Sequence, residues 1–323
     1  MNVLITSASR KVGLIQAFQQ ALQSEMGGKV IAVDVSPLAA ALYHADEHSL
    51  VPHTDDPSFI PEVRRLCHAS KVELVVPTRD EELPILAAHR GRFAEDGVRV
   101  MVPDPETVAI CQDKGRFNAV CAEQGIATPA IVDPSRPHTF PLFVKPRHGK
   151  GGRGTFVVRT EEELRGAVSH HHGDAVVQEY VDAPEFTIDL FADFSGRVLS
   201  VVPRERLLIV AGESYVARTV RNPRLRDEAI RLAAALRLSG HNTIQCFMDR
   251  DTVKFIEVNP RYGGGAALGF AAGVLTPRFL VRLVAGKTVE PQLDGFQNDL
   301  YMLRYTQDLF REGRALSSRG QPK

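Results

Sequence analysis

Neither sign of charge is in excess. Lys and Arg number 39, Asp and Glu also 39, in 323 residues. Nothing in the net charge therefore argues for a nucleic-acid partner or an acidic membrane surface. Cysteine is scarce, and the four present (Cys67, Cys111, Cys121, Cys246) show no C-x-x-C spacing. They read as reduced, buried thiols of a cytoplasmic protein. No apolar run reaches membrane-span length, and the start "MNVLITSASRK" has too short a run for a signal peptide. There is no internal repeat and no long low-complexity segment. No Ser–His–Asp or Cys–His nucleophile is recognisable, so a covalent acyl-enzyme is not expected. What remains, 44% hydrophobic and 24% charged, is an ordinary soluble globular composition with length enough for two or three subdomains.

The first hundred residues alternate short β-branched runs with helical periods. Residues 2–6, 29–34, 72–77 and 98–103 predict strands, and 11–25, 57–69 and 80–94 predict the helices between them. That alternation implies an open parallel sheet, which binds ligands beyond the C-terminal ends of its strands. Those ends carry "TSASRKVG" (6–13), "DVSP" (34–37) and "PTRDEE" (77–82). The first turn holds a single glycine, Gly13, which argues against a dinucleotide fingerprint. Asp34 reads as a strand-end cap rather than a ribose carboxylate. Residues 104–125 predict two helices, the first capped at its start and the second closed by Gly125. A Pro-rich crossing (127–140) follows. Beyond it the pattern turns strand-rich: 142–145, 154–158, 175–181, 185–194, 197–210, 242–249 and 252–259. Helices near 160–169, 224–237 and 276–285 interrupt these strands, which is the signature of antiparallel α+β modules. The tail 299–310 predicts a returning strand and a packed helix.

Two segments carry chemistry. "PRHGKGGRG" (146–154) contains G-x-G-x-x-G at Gly149, Gly151 and Gly154. It lies between strands, "PLFVKP" and "TFVVRT". A dinucleotide fingerprint needs a helix afterwards, and a Walker loop needs G-K-[ST]. What fits is a glycine-rich hairpin of the kind that covers ATP phosphates. Gly149, Gly151, Gly152 and Gly154 let the backbone approach closely, and Lys150 and Arg153 complement negative charge. Lys145, on the strand before the hairpin, is a candidate phosphate ligand, against the plainer reading of a solvated lysine. The second segment is "TVKFIEVNPR" (252–261). It sets Glu257 and Asn259 on one strand face, with Gln245 of the preceding strand across from Glu257. Three oxygen donors on one face suit Mg²⁺ with substrate phosphates; a solvent-facing polar strip is the alternative. "HHH" (170–172) reads as a solvated helix end. "PTRDEEL" admits Arg79 and Glu81 at the crevice or a simple N-cap. Arg204, Arg206 and Arg218 alternate along strands, either to hold a substrate carboxylate or as a solvated edge.

With these motifs in hand, the chain resembles the ATP-grasp superfamily, particularly ligases similar to one half of the carbamoyl-phosphate synthetase large subunit. The resemblance covers nearly the whole chain. It implies an α/β N-terminal domain (1–110) with an open parallel sheet, linking helices and crossing (111–142), and an α+β ATP-grasp fold. The fold would consist of a lid with the glycine hairpin (143–182) and a subdomain with an antiparallel metal-bearing sheet (183–323). In "IEVNPR", Glu257 and Asn259 match metal ligands and Arg261 a phosphate-binding arginine; Gln245 matches a further metal ligand. Lys114, Lys145 and the loop 149–154 match nucleotide-phosphate contacts. Gln178 and the backbone of Glu179, Tyr180 and Val181 match the adenine site, and Glu185 the ribose contact. Catalytic assignments fall on Arg261, Lys145 and Arg218, and substrate contacts on Arg204, Arg218, Gly263 and Gly264. The implied cofactors are ATP and Mg²⁺, with Mn²⁺ as an alternative and two ions. The implied partners are a small-molecule carboxylate and an amine, with no nucleic acid and no membrane; a homodimer stays open. Thr243 stands where the D-alanine ligase branch has an arginine, and there is one ATP-grasp unit with no glutaminase triad. The reaction implied is activation of a carboxylate as an acylphosphate and its joining to an amine. Carbamoyl-phosphate-synthetase-like chemistry, kinase-type transfer and a non-catalytic ATP-binding module remain open.

Overall fold

The computed structural model describes residues 1–149, 151–313 and 316. The N-terminal part alternates β1 (Asn2–Ile5), α1 (Val12–Glu25), β2 (Val30–Asp34), β3 (Glu47–Leu50), α2 (Phe59–Ala69), β4 (Val72–Val76), α3 (Leu83–Glu95) and β5 (Arg99–Val100). The strands form one parallel sheet in the order β3-β2-β1-β4-β5. β2 is buried throughout, as a central parallel strand must be when both faces are covered. β3 was not expected. Its sequence, EHSL, is polar and half-buried, which suits an edge position and hides it from a hydrophobic pattern.

Two helices, α4 (Pro105–Gln112) and α5 (Lys114–Glu123), lead out of this sheet. The cap expected on α4 is absent: Asp104 pairs with Arg90 instead of the helix backbone. α5 is capped by Asp113, whose side chain accepts from Gly115 and Arg116 N–H at 2.9 and 3.1 Å.

The middle part is a three-stranded antiparallel sheet, β6 (Leu142–Pro146), β7 (Phe156–Val158) and β8 (Ala175–Glu179), in the order β7-β6-β8. α6 (Glu161–His170) supplies Leu164 and Ala167 to its small core. The last part is a six-stranded antiparallel sheet. Its members are β9 (Glu185–Ala192), β10 (Val198–Val210), β11 (Glu213–Thr219), β12 (Gly240–Asp249), β13 (Thr252–Asn259) and β14 (Tyr301–Leu303). They run in the order β13-β12-β9-β10-β11-β14. α7 (Pro223–Leu236) packs on one face, and α8 (Ala266–Ala271) and α9 (Thr276–Val284) follow the sheet. The tail forms its returning strand, but 304–310 is irregular rather than helical. Tyr305 and Phe310 there are 79% and 87% exposed, so no apolar face is buried to stabilise a helix.

The first sheet and the last share a core. Val3, Ile15 and Phe18 pack in one cluster with Phe191, Leu199, Tyr262 and Phe279. Glu25, at the end of α1, is buried among Arg278, Arg282 and Lys287 of the C-terminal part. The Arg278 contact leads in holding its carboxyl at about 2, against the opposing effect of burial. A depressed carboxyl contributes stability in full above its ordinary value, here 4.5, and loses it as pH falls toward 2. Glu25→Gln is expected to lower the neutral-pH unfolding temperature by about 2–4 °C, since its partners are partly solvated. It should also flatten the acid limb of the stability curve; thermal unfolding at pH 7 and pH 3 checks both.

Candidate active site

The middle and last sheets meet where Lys254 of β13 reaches Glu179 of β8, and this junction gathers several of the residues singled out from the sequence. β12 and β13 pair so that Gln245 lies opposite Glu257 and Thr243 opposite Asn259. The register then slips: Cys246 faces Phe255, leaving Ile256 as an extra residue. This bulge resets the alternation. Val253, Phe255 and Val258 all reach the core, while Lys254, Glu257 and Asn259 share the opposite face. No sequence signal marks it. Asn259 Nδ2 donates to Glu257 Oε1 at 3.1 Å. Lys254 reaches across to Glu179 at the end of β8, 2.7 Å away, and the same carboxylate accepts from the Ala130 N–H.

Facing this strip is Lys145, at the end of β6 and 3% exposed. Among the described residues no hydrogen bond or ion pair engages its ammonium. Burial pushes it down to about 8; Glu257 works against the shift and Lys114 with it. Lys114, the first residue of α5, is likewise lowered by burial and opposed by Glu257, Asp113 and Asp80. Its Nζ donates to the Gly149 carbonyl at 2.8 Å, while Arg147 forks onto Asp113 at 2.7 and 2.8 Å. The glycine hairpin is thus strapped to the start of α5. At its tip, a Cβ on Gly212 of the β10–β11 turn would meet Gly151 backbone at 3.0 Å, so the hairpin closes onto the last sheet. Gly151, Gly152 and Gly154 all have φ of 65 to 69°, which only glycine takes without strain. Lys150 lies outside the described residues. His171 of the "HHH" run is not merely solvated: it hydrogen-bonds the Gly154 carbonyl at 2.7 Å and packs on Phe156. Among the described residues no cluster of three His, Cys, Asp or Glu is placed to hold a metal ion.

Other predicted positions are already engaged by protein partners or lie off this strip. Gln178 is buried, its amide donating to the Pro129 carbonyl and Asn118 Oδ1 at 3.1 and 3.3 Å. Tyr180 is exposed past the end of β8, and Val181 follows it. Glu185 is paired with Arg206; burial raises its carboxyl, and Arg206 opposes the rise. Arg204 corrects the expectation of a substrate contact. It is 1% exposed and forks onto Asp189 at 2.6 and 3.0 Å, under the loop at Gly265. Arg218 lies directly opposite Glu205 and bonds to it at 2.7 Å. Period-two alternation therefore places it on the sheet face away from Arg204, Gln245 and Glu257, so the catalytic and substrate roles expected of it do not fit.

The loop after β13 is held from below. Gly263 sits where a Cβ would lie 2.6 Å from Thr243 Oγ1, and Gly265 where it would strike the Arg204 guanidinium. The Gly264 carbonyl accepts from Arg304. Gly265→Ala is expected to displace this loop and Arg261 with it, lowering turnover at least about tenfold while costing about 1–3 kcal/mol of stability; kinetics and thermal unfolding on one preparation check it. Arg261 itself forks onto Asp80 at 3.0 and 2.7 Å, joining the last sheet to the loop after β4. That loop is knitted to the first one by Glu82, fully buried, which accepts from the Thr78 and Arg79 N–H groups and from Ser7 Oγ. Asp34 caps as expected, accepting from Ser9 and Ser36 N–H at 2.9 and 3.0 Å. Asp80 and Glu82 had drawn only an N-cap reading in the sequence, because Arg261 and Ser7, which reach them here, come from a different sheet and loop.

Two families match this architecture. Residues 3–101 match the family described as "PylC-like, N-terminal domain", and residues 171–307 match "ATP-grasp in the biosynthetic pathway with Ter operon". The carbamoyl phosphate synthase large chain of Gemmatimonas aurantiaca is 26% identical over 258 residues, 72% of this chain and 23% of that one. The pyruvate carboxylase of Staphylococcus aureus is 26% identical over 200 residues, 53% of this chain and 17% of that one. The chain thus spans about a quarter or less of these relatives. Among solved structures, the biotin carboxylase–β,γ-ATP complex of Campylobacter jejuni aligns with a TM-score of 0.76 at 17% identity, covering 93% of this chain and 74% of that one. The L-amino acid ligase of Bacillus licheniformis aligns at 0.68 and 20% identity (89% and 75% covered). The ADP complex of N5-carboxyaminoimidazole synthetase from Staphylococcus aureus aligns at 0.70 and 14% (90% and 78% covered). The chain thus has an ATP-grasp fold, matched in sequence over residues 171–307, behind a PylC-like N-terminal domain matched over residues 3–101.

Proposed function

We propose that the protein is an ATP-dependent carboxylate–amine ligase, acting on small molecules in the cytoplasm. One observation carries the reading: a buried ammonium without a protein partner, Lys145, faces the Gln245, Glu257 and Asn259 strip beneath a closed glycine hairpin. Unpaired buried cations are costly unless an anion completes them, and the ATP phosphates are that anion. The donor set fits Mg²⁺, since one carboxylate and two side-chain amides leave room for phosphate oxygens. Bound on Gln245, Glu257 and Asn259, the ion would neutralise charge developing on the transferred phosphoryl group.

A carboxylate does not acylate amines at neutral pH because its leaving group would be oxide. Transfer of the γ-phosphoryl group gives an acylphosphate, which an amine attacks to release phosphate. The transfer asks the protein for positioning and charge neutralisation. Lys114 and Lys145 supply cations, and the hairpin 149–154 keeps water from the acylphosphate. The adenine falls to the backbone of Glu179–Val181 and the ribose to Glu185. Arg261 and the glycines 263–264 face the carboxylate, which comes from the first domain's side. The similarity to an L-amino acid ligase and to an N5-carboxyaminoimidazole synthetase supports this class. A screen of amino acids and other carboxylates for ADP release, with mass spectrometry of the product, tests it. A product joined with loss of water supports the ligase, and hydroxylamine should trap the activated acid as a hydroxamate. A stable product that keeps the phosphate marks a kinase instead.

A further inference from the structure

Beneath the segment from Arg261 to Gly265 lies a buried polar cluster that no step of the phosphoryl transfer uses. It consists of Asp189 of β9, Arg204 of β10 and His241 of β12, all buried. Thr243 pairs with Asp189 and Gln245 with Thr187, so His241, Thr243 and Asp189 share the sheet face of Gln245. Arg204 forks onto Asp189 at 2.6 and 3.0 Å. His241 Nε2 faces the same carboxylate from 3.6 Å, and its Nδ1 lies 3.1 Å from Thr276 Oγ1. The segment rests on this cluster at two points. Tyr262, itself buried, stacks on the His241 ring at 4.1 Å and 18°, and a Cβ on Gly265 would strike the Arg204 guanidinium. Thr243 Oγ1 adds a third hold, donating to the Arg261 carbonyl at 3.1 Å. Phe18 of α1 and Phe270 of α8 meet the Tyr262 ring edge-on, at 5.9 and 6.0 Å. A ring of contacts is thereby closed, from Tyr262 through His241, Asp189 and Arg204 back to Gly265.

We propose that the His241–Asp189–Arg204 cluster positions the Arg261–Gly265 segment, and Arg261 with it, to receive the substrate carboxylate. The inference rests on the ligase reading and gives its carboxylate site a buried support. His241 and Arg204 are positioning residues here, because each is buried and reaches the site only through the segment above it. Packing alone does not call for such a cluster, since apolar residues of similar volume in place of a buried ion pair are often neutral or stabilising. What the ions add is direction. A bidentate fork fixes the plane of the guanidinium under Gly265, whereas an aliphatic chain there would be free to turn. The same carboxylate faces His241, so the ring under Tyr262 and the guanidinium under Gly265 are set by one group. Misplacing a substrate-holding segment by a fraction of its own width is costly to turnover even when the fold survives.

The test uses the full chain in two variants. Arg204→Met with Asp189→Leu removes the ions at similar volume, and His241→Leu removes the ring beneath Tyr262. Hydrogen exchange read by mass spectrometry needs no substrate. In both variants the amides of 261–266 are expected to exchange at least about tenfold faster, while the lid strands β6 and β8 stay within about twofold of the parent. Calorimetric titration with ATP and Mg²⁺ should give an affinity within about twofold of the parent's. With a carboxylate that supports ADP release, its KM should rise about tenfold or more while the KM for ATP stays within about twofold. Unchanged exchange at 261–266 in either folded variant overturns the proposal. So does exchange that rises equally in the lid, or a KM for ATP that rises with that for the carboxylate, because both mark a packing role alone. If the double replacement does not fold, His241→Leu decides. A parent in which no carboxylate supports ADP release sinks the ligase reading, and the exchange result then decides the positioning role by itself. Unchanged exchange in variants of a parent that joins acid to amine sinks the positioning role and leaves the ligase.

Discussion

Glu257→Gln is expected to lower ATP-dependent turnover by about 10²–10³-fold, the range for removing one preorganised group that stabilises developing charge. The substitution keeps size and shape but removes the one carboxylate of the Gln245–Glu257–Asn259 strip, which sits 3.1 Å from the Asn259 amide and within reach of Lys145 and Lys114. The fold should survive, since Glu257 is only half-buried and its strand is held by Val253, Phe255 and Val258 behind it. Steady-state ADP release with matched thermal unfolding separates the two effects. Turnover within about threefold of the parent would remove Glu257 from the phosphoryl-transfer site.

Arg204→Met is expected to destabilise the protein by about 3–5 kcal/mol, because it leaves Asp189 charged and buried. Asp189 is 3% exposed, and burial alone would push its carboxyl up. Arg204 and His241 outweigh that and hold it at about 2. His241 is itself buried, stacked on Tyr262 at 4.1 Å, with Nε2 3.6 Å from Asp189. The double replacement Arg204→Met with Asp189→Leu should recover most of the loss, since an apolar pair can stand where the ions stood. Denaturant unfolding of the three proteins checks this. A single-variant loss under about 1 kcal/mol would mean the pair is hydrated or dispensable.

How far the sequence led depends on which force places each residue. Strand positions in "NVLIT" and "KVIAVD" follow from short β-branched runs, and in "IEVNPR" period two sets Glu257 and Asn259 on one face before any fold is known. The glycine hairpin is equally local, identified by the strands on either side. β3 escaped because EHSL lacks an apolar pattern, and α8 because "GGGAALGFA" opens on three glycines that read as a turn. The bulge at Ile256 depends on how two strands register, which no single-strand pattern encodes. The same gap explains Arg204 and Arg218. Both are arginines on alternating strands, and only the pairing shows one facing Asp189 and the other Glu205. The pairing of Arg261 with Asp80 arises only when two sheets dock, so it is invisible to any reading along the chain.

Oxygen-18 transfer tests the central claim most directly. A carboxylate substrate labelled in both carboxyl oxygens, turned over with ATP, Mg²⁺ and its amine, should place one labelled oxygen in the released phosphate. An acylphosphate hands that oxygen over when the amine displaces it. Unlabelled phosphate accompanying product formation would contradict activation of the carboxylate and, with it, the ligase reading of the site.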